Sequence, residues 1–410
     1  MFRILFNRVV LLAGLGFFVD VFDLFLFSVV RRPSLASIGI TPEKMGEVGE
    51  QLLATQMWGM LLGGFLWGIL GDKRGRLTVL LGSILTYSIA TAANGLVTDL
   101  SAYHLCRFLA GLGLAGELGA GISLVLEQLE DNQRGIGGFF VATLGALGAV
   151  VAALLGDFLP WETTYFVGGA LGIVLLLFRF GVKESAIYQT QESHSHERGA
   201  LKILFHKSNR KKYFGSVLAG VPIWFSAGLL VGFLPEITQF HGLNGIKVTT
   251  GLICFQAAFS VGDMTSGLLS QRLKSRKMVL KRYILGWLLT VLAFFLLLQF
   301  QPPLFWVYTS VVVLGLFSGY MAVFVTCVAE QFGTNVRNTA SSSIINLMRG
   351  SVVIMVPLHL FLQHQLHLPL SGSLLLIAGL VFASAWWGLK QMDETFHISL
   401  RFTHRSKPNN

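Results

Sequence analysis

Ionisable side chains are few inside the apolar stretches of this chain: Asp20, Asp23, Glu117, Asp263, Arg107, Arg179 and Arg349. Each would cost several kcal/mol if it faced lipid, so each must face a cavity or a partner. Asp20 and Asp23 are three residues apart and share a helical face. A carboxylate withdrawn from water can load a proton from one side and release it to the other. Asp20, Asp23 or Glu117 could therefore couple proton movement to another event. Arg107 and Arg349 carry guanidinium groups that stay charged and grip a carboxylate or phosphate through two parallel bonds. An internal acid such as Asp20, Asp23 or Glu117 could occupy them equally well, and such a bridge can open when an anion arrives. Asn346 lies one turn before Arg349. Phe22, Trp224 and Tyr320 could stack on a bound molecule, although at 12% aromatic content most rings simply pack or face lipid. His104, near a span end, reads as an interfacial histidine. His194 and His196 are too isolated to argue for a metal. No metal or cofactor is expected. Cys106, Cys254 and Cys327 all sit in apolar runs, without disulfide or metal spacing.

The elements that must position these groups are membrane helices. The 410 residues are 53% hydrophobic and only 13% charged, whereas a soluble domain carries about 25% charged residues. Apolar segments of membrane-spanning length recur along the whole chain, without the alternation of barrel strands. The reading is twelve spans, at 9–30, 51–71, 77–97, 101–129, 135–159, 161–182, 213–240, 248–271, 281–300, 303–331, 335–362 and 368–390. The first lacks a small-residue cleavage site and reads as a retained helix. If both termini are cytoplasmic, the cytoplasmic segments hold 24 of the Lys and Arg residues and the opposite segments hold 4. That bias sets the orientation. It also explains the net charge of +10 without nucleic acid, through contact with anionic lipid headgroups.

The stretch Gly68-Ile69-Leu70-Gly71-Asp72-Lys73-Arg74-Gly75-Arg76 packs four charges into a tight turn between spans two and three. A second basic turn, Gln271 to Lys277, joins spans eight and nine. Glu127-Gln128 ends span four with Arg134 following, and Glu330-Gln331 ends span ten with Arg337 following at the same spacing. Matched spacing, span number and membrane side together indicate an internal repeat, the pattern of transporters built from two rocking halves. The expected organisation is a six-helix bundle at 1–182, a central loop at 183–212, a second bundle at 213–390 and a tail at 391–410. Glycines 59, 63, 64 and 68 in span two, and 111, 113, 116, 119 and 121 in span four, permit close helix approach.

On these residues the chain resembles the major facilitator superfamily over essentially its full length. Gly68, Leu70, Asp72, Gly75 and Arg76 match that superfamily's Gly-x-Leu-x-Asp-x-x-Gly-Arg signature. Arg107-Phe108 through Gly111, Gly113, Gly116 and Glu117 is similar to the span-four pattern of metabolite:proton symporters and of organic-ion and sugar porters. Asp20-Val21-Phe22-Asp23 and Lys183-Glu184-Ser185 resemble the first of these groups. Trp161-Glu162 departs from the usual Trp-Arg. Span five lacks the drug-antiporter signature, which counts against an exporter, and span seven lacks the paired glutamines of sugar porters. The resemblance implies an all-α membrane protein of two pseudo-symmetric bundles, with spans one, four, seven and ten lining a central cavity. It also implies a cytoplasmic gate of Asp72, Arg76, Glu127, Arg134 and Glu184 with Arg276, Glu330 and Arg337, and it places Asp72 near the N-terminal end of span eleven around Asn335.

The resulting expectation is a proton-coupled importer of a small organic anion in a bacterial inner membrane, functional as a monomer, with substrate, protons and the lipid bilayer as partners. A sugar or organic-cation transporter is the rival within the class, and a non-transporting sensor is the rival outside it. No nucleophile elbow, metal motif or phosphate loop suggests an enzyme.

Overall fold

The computed structural model describes residues 8–41, 44–129, 134–180, 199, 201–396 and 398. Among these, twelve helices are long and apolar enough to cross a membrane. In order they are Arg8–Ser37, Gln51–Arg74, Arg76–Asn94, Leu100–Ile122, Phe140–Phe158, Trp161–Arg179, Lys207–Val231, Val248–Leu273, Arg276–Leu298, Leu304–Gln331, Arg337–His364 and Leu370–Gln391. They are called spans one to twelve below. Span seven starts at Lys207, before the boundary expected at 213, so the last part of the presumed central loop is helical.

The distribution of side chains suits a lipid environment. Large apolar groups such as Leu62, Ile89, Leu177, Leu289, Phe305 and Ile354 are exposed, while Asp20, Asp23, Arg107, Asp263 and Arg337 are fully buried. With no water in the hydrocarbon layer, polar groups must find partners inside the protein. In the first half, span one packs on five, two on four and three on six. Between the halves, span two packs on eleven and span five on eight.

Four spans are interrupted. Span four breaks at Ala115–Gly116, between helices Leu100–Leu114 and Glu117–Gln128. Span ten breaks at Gly319–Tyr320, between Leu304–Ser318 and Met321–Gln331. Span eleven breaks at Ser351. Span seven carries Pro222, which lacks an N–H and disturbs the ladder, and the next turns, Phe225–Val231, widen into a π-helix. Interrupted helices at membrane depth are tolerated where they are buried or line a cavity.

Candidate functional site

Asp20 of span one and Arg349 of span eleven meet between the two halves. Arg349 Nη2 donates to Asp20 Oδ2 at 2.7 Å and Nη1 to Oδ1 at 3.2 Å. This is the bidentate geometry that suits guanidinium and carboxylate. The guanidinium also lies 5.6 Å from the Trp224 ring centre and 5.9 Å from that of Phe17. Beside the pair is a cavity of about 50 Å³ lined by Phe17, Trp224, Gln256, Phe259 and Arg349 among others. Arg349 Nε and Trp224 Nε1 are buried donors without a protein acceptor. A second small cavity shares Leu24, Phe25, Trp224 and Ala227 with the first. It shares Ser28, Met57, Gly228 and Val352 with a larger one of about 370 Å³. That larger space, with Arg31, Gln51 and Leu360 in its wall, lies toward the helix ends opposite the turn at 68–76. The chain of cavities is mostly apolar, with charge concentrated at Arg349 and Arg31.

Asp23 belongs to a separate cluster inside the first half. Thr91 Oγ1 donates to Asp23 Oδ1 at 2.8 Å and Gln56 Nε2 to Oδ2 at 3.3 Å. Arg107 Nη1 stands 3.7 Å from Asp23 Oδ2, and Nη2 donates to Gln56 Oε1. The Phe27 ring centre lies 4.6 Å from the Arg107 guanidinium. All four polar side chains are fully buried or nearly so. Glu117 is held by a third arginine. Arg179 donates to its two oxygens at 2.7 and 3.0 Å, and Ser83 Oγ donates at 2.9 Å. Arg179 also caps the carbonyls of Leu80 and Leu12. Removing one member of such a buried pair leaves an uncompensated charge and costs about 3–5 kcal/mol.

At the opposite end of the molecule, Asp72 reaches across to the other half. Its Oδ2 accepts from Thr339 N at 2.8 Å and Thr339 Oγ1 at 2.7 Å, and its Oδ1 accepts from Asn338 N at 3.0 Å. These amides belong to the first turn of span eleven, so the acid meets the positive end of that helix. Asn338 Nδ2 returns the contact to the carbonyls of Gly68 and Trp67. Arg76 lies 3.7 Å from Asp72 and donates to Thr334 O at 3.1 Å. Gly199 N adds a backbone bond to Asn335 O at 2.8 Å. Together these tie the halves shut on the side of the turn.

The turn between spans eight and nine is tied differently. Arg276 meets Glu330 at 3.3 Å and Ser270 Oγ at 2.9 Å. Glu394, from the segment after span twelve, accepts from Arg276 N at 2.8 Å, Lys277 N at 3.2 Å and Ser275 Oγ. Thr395 Oγ1 donates to Glu330 at 2.8 Å. Arg337 Nε donates to Ala329 O at 3.0 Å, bracing the link from span ten to span eleven.

Of the residues expected to contact substrate, Arg349 and Trp224 line the cavity. Arg107 turns instead to Asp23, and Phe22 packs inside the first half against Gly148 and Gly168. Tyr320 donates to Ala219 O at 3.0 Å, and Asn346 Nδ2 to Ala115 O at 2.9 Å, where span four breaks. None of these four lines the cavity. Glu184, His194 and His196 lie outside the described residues, as do the side chains of Glu127 and Arg134. Gln56, Thr91, Gln256 and Glu394 were missed. A signal existed for two of them: Gln56 in span two and Gln256 in span eight stand 200 residues apart, the offset that also relates Arg76 to Arg276.

Comparison with known proteins agrees with this architecture. The chain is 25% identical over 403 residues, 94% of its length and 90% of the relative's, to a Cupriavidus pinatubonensis protein named "Probable 4-methylmuconolactone transporter". It is 26% identical over 362 residues, 84% of each chain, to the cis,cis-muconate transport protein of Acinetobacter baylyi. Its fold superposes on a solved proton:xylose symporter with a TM-score of 0.77 at 15% identity, covering 96% of this chain and 97% of that one. The sequence profile of the Major Facilitator Superfamily matches residues 13–357, and the chain belongs to that family of membrane transporters.

Proposed function

We propose that this protein imports a small organic anion by proton-coupled alternating access, with both termini and the Asp72 turn on the cytoplasmic face of a bacterial inner membrane. The Asp20–Arg349 pair carries the reading. It joins the two halves beside an apolar cavity, and two further buried donors lack protein acceptors there. An anionic substrate can replace Asp20 on Arg349 while the site stays neutral, provided Asp20 takes up a proton. The apolar wall suits a ligand with a hydrocarbon or ring body behind its charged group. A carboxylate of that kind is the named cargo of the muconate relative. The 24-to-4 distribution of basic residues supports the orientation. Asp23 and Glu117, each enclosed by its own arginine within the first half, serve to hold that half rigid.

The test is uptake into proteoliposomes under an imposed pH gradient, with cis,cis-muconate and a panel of aromatic carboxylates first ranked by thermal shift. Arg349→Lys should keep the fold yet weaken binding roughly 10- to 100-fold, as expected for losing a bidentate charged contact of about 1.5–3 kcal/mol. Asp20→Asn should abolish gradient-driven uptake and spare exchange. Undiminished gradient-driven uptake in Asp20→Asn would remove the coupling role. A screen dominated by neutral sugars would remove the anion.

A further inference from the structure

Six carboxylates are buried among the described residues: Asp20, Asp23, Asp72, Glu117, Asp263 and Glu330. Five lie within 4 Å of an arginine. Asp263 does not, although it is fully buried in span eight. Its Oδ1 accepts from Ala322 N at 3.0 Å. Its Oδ2 has no hydrogen-bond partner. The titratable groups that face it are tyrosines with other bonds. Tyr283 of span nine bonds Gly262 O and Thr265 Oγ1, and Tyr320 of span ten bonds Ala219 O. Span five also packs on span eight but brings no described ionisable group to this point.

Asp263 stands where span ten is broken. Gly319 (φ −78°, ψ 66°) and Tyr320 (φ −126°, ψ 17°) leave the helical region, and the second helix begins at Met321. In an unbroken helix the Ala322 amide would donate to the carbonyl four residues earlier. Here it donates to Asp263 instead. A close approach of Gly262 to Gly319 brings the two backbones together for this. The matching break in span four is served by neutral groups. Trp67 Nε1 donates to Leu112 O at 2.7 Å and Asn346 Nδ2 to Ala115 O at 2.9 Å. Of these two matching breaks, only that in span ten rests, among the described residues, on a group that can change its charge.

We propose that Asp263 is a second proton-binding site of this protein, distinct from the cavity acids, and that its protonation switches the bend of span ten. Ionised, Asp263 is a strong acceptor at the positive end of helix Met321–Gln331 and holds the break open. Protonated, it accepts weakly, and the Ala322 amide returns to a carbonyl of its own span, which straightens. The second helix of span ten carries Glu330 and leads to Thr334, whose carbonyl holds Arg76. A change of bend therefore reaches the cross-half tie at Asp72.

The proposal is tested on full-length protein in lipid nanodiscs, without substrate. Infrared spectra titrated with acid should show a protonated-carboxyl C=O band that Asp263→Asn lacks and Asp20→Asn keeps. Hydrogen exchange of peptides spanning residues 319–324, corrected for intrinsic rates, should change roughly tenfold across the titration in wild type. It should be flat with pH in Asp263→Asn, whose side-chain carbonyl can still accept from Ala322. Asp263→Ser serves as the neutral variant if the first does not fold. Infrared spectra that superimpose for wild type and the neutral variant, or exchange that keeps its full pH dependence without Asp263, would overturn the proposal.

Discussion

The turns joining spans two to three and eight to nine share an outline but direct their acids differently. In the first, Gly75 (φ 102°) alone ends one helix and starts the next, a backbone conformation open only to glycine. Its acid, Asp72, directs its hydrogen bonds to Asn338 and Thr339 of the opposite half. In the second, Lys274 in the left-handed region and N-cap Ser275 make the turn, and the acid is Glu394, supplied by the segment after span twelve. Glu394 binds within its own half. On the proposed alternating-access reading, the first turn would be a latch that breaks when the halves rock, and the second a staple that need not break. A repeat that duplicates basic residues has kept the scaffold in both places and the cross-half acid in only one.

The sharpest way to break this contrast is steric. A Cβ on Gly68 would sit 2.8 Å from Thr339 Cα, on the very backbone that Asp72 binds. Gly68→Leu should therefore prevent closure on the latch side. Overpacking of this kind costs about 3 kcal/mol at its upper end, roughly 100-fold in the closed-to-open ratio. Pulsed dipolar distances between spin labels on the latch-side ends of spans two and eleven would report it. Distances identical to wild type would show that the approach at Gly68 is not needed for closure.

Asp72→Asn is the gentler version. It removes the charge from an acceptor of three bonds, worth about 1.5–3 kcal/mol for the charged contribution, so the open-state population read by the same distances should rise roughly 10- to 100-fold. Transport should slow while substrate affinity is unchanged. A selective loss of affinity would instead place Asp72 at the cargo site.

How far these features could be read in advance depends on how local they are. The twelve spans follow from composition and length. The place of Asp72 near the start of span eleven was implied by the family resemblance, and the positive end of that helix gives the physical reason an acid belongs there. Partner choice inside the bundle was less legible, because it depends on helix rotation by tens of degrees. That rotation gave Asp23 to Arg107 and Asp20 to Arg349, handed Glu117 to Arg179, and turned Phe22 and Tyr320 away from the cavity. The break in span four sits at Gly116, a glycine that sequence reading assigned to packing, and the break in span ten sits at Gly319, which it did not single out. Glu394 was invisible for a different reason: it lies 118 residues from the amide of Arg276 it caps, in a segment with no apolar pattern to place it.

The staple predicts the smallest effect and the most specific one. Burial pushes the Glu394 carboxyl up, but bonds from Ser275, Arg276, Phe396 and Lys277 bring it net below its ordinary value of 4.5. A depressed folded-state value means the unfolded chain binds its proton first as pH falls. The contribution of Glu394 is therefore fully present above about pH 4.5 and is lost as pH falls through the lower folded value. Glu394→Gln should cost about 0.5–1 kcal/mol at neutral pH, as for loss of a helix-end anion, and lower Tm slightly. The difference between wild type and variant should vanish below that pH. Spin-label distances across the latch side should not move, because nothing bound by Glu394 crosses between halves. A shift in those distances equal to that of Asp72→Asn would show that the second turn is also a latch, and the asymmetry between the two turns would collapse.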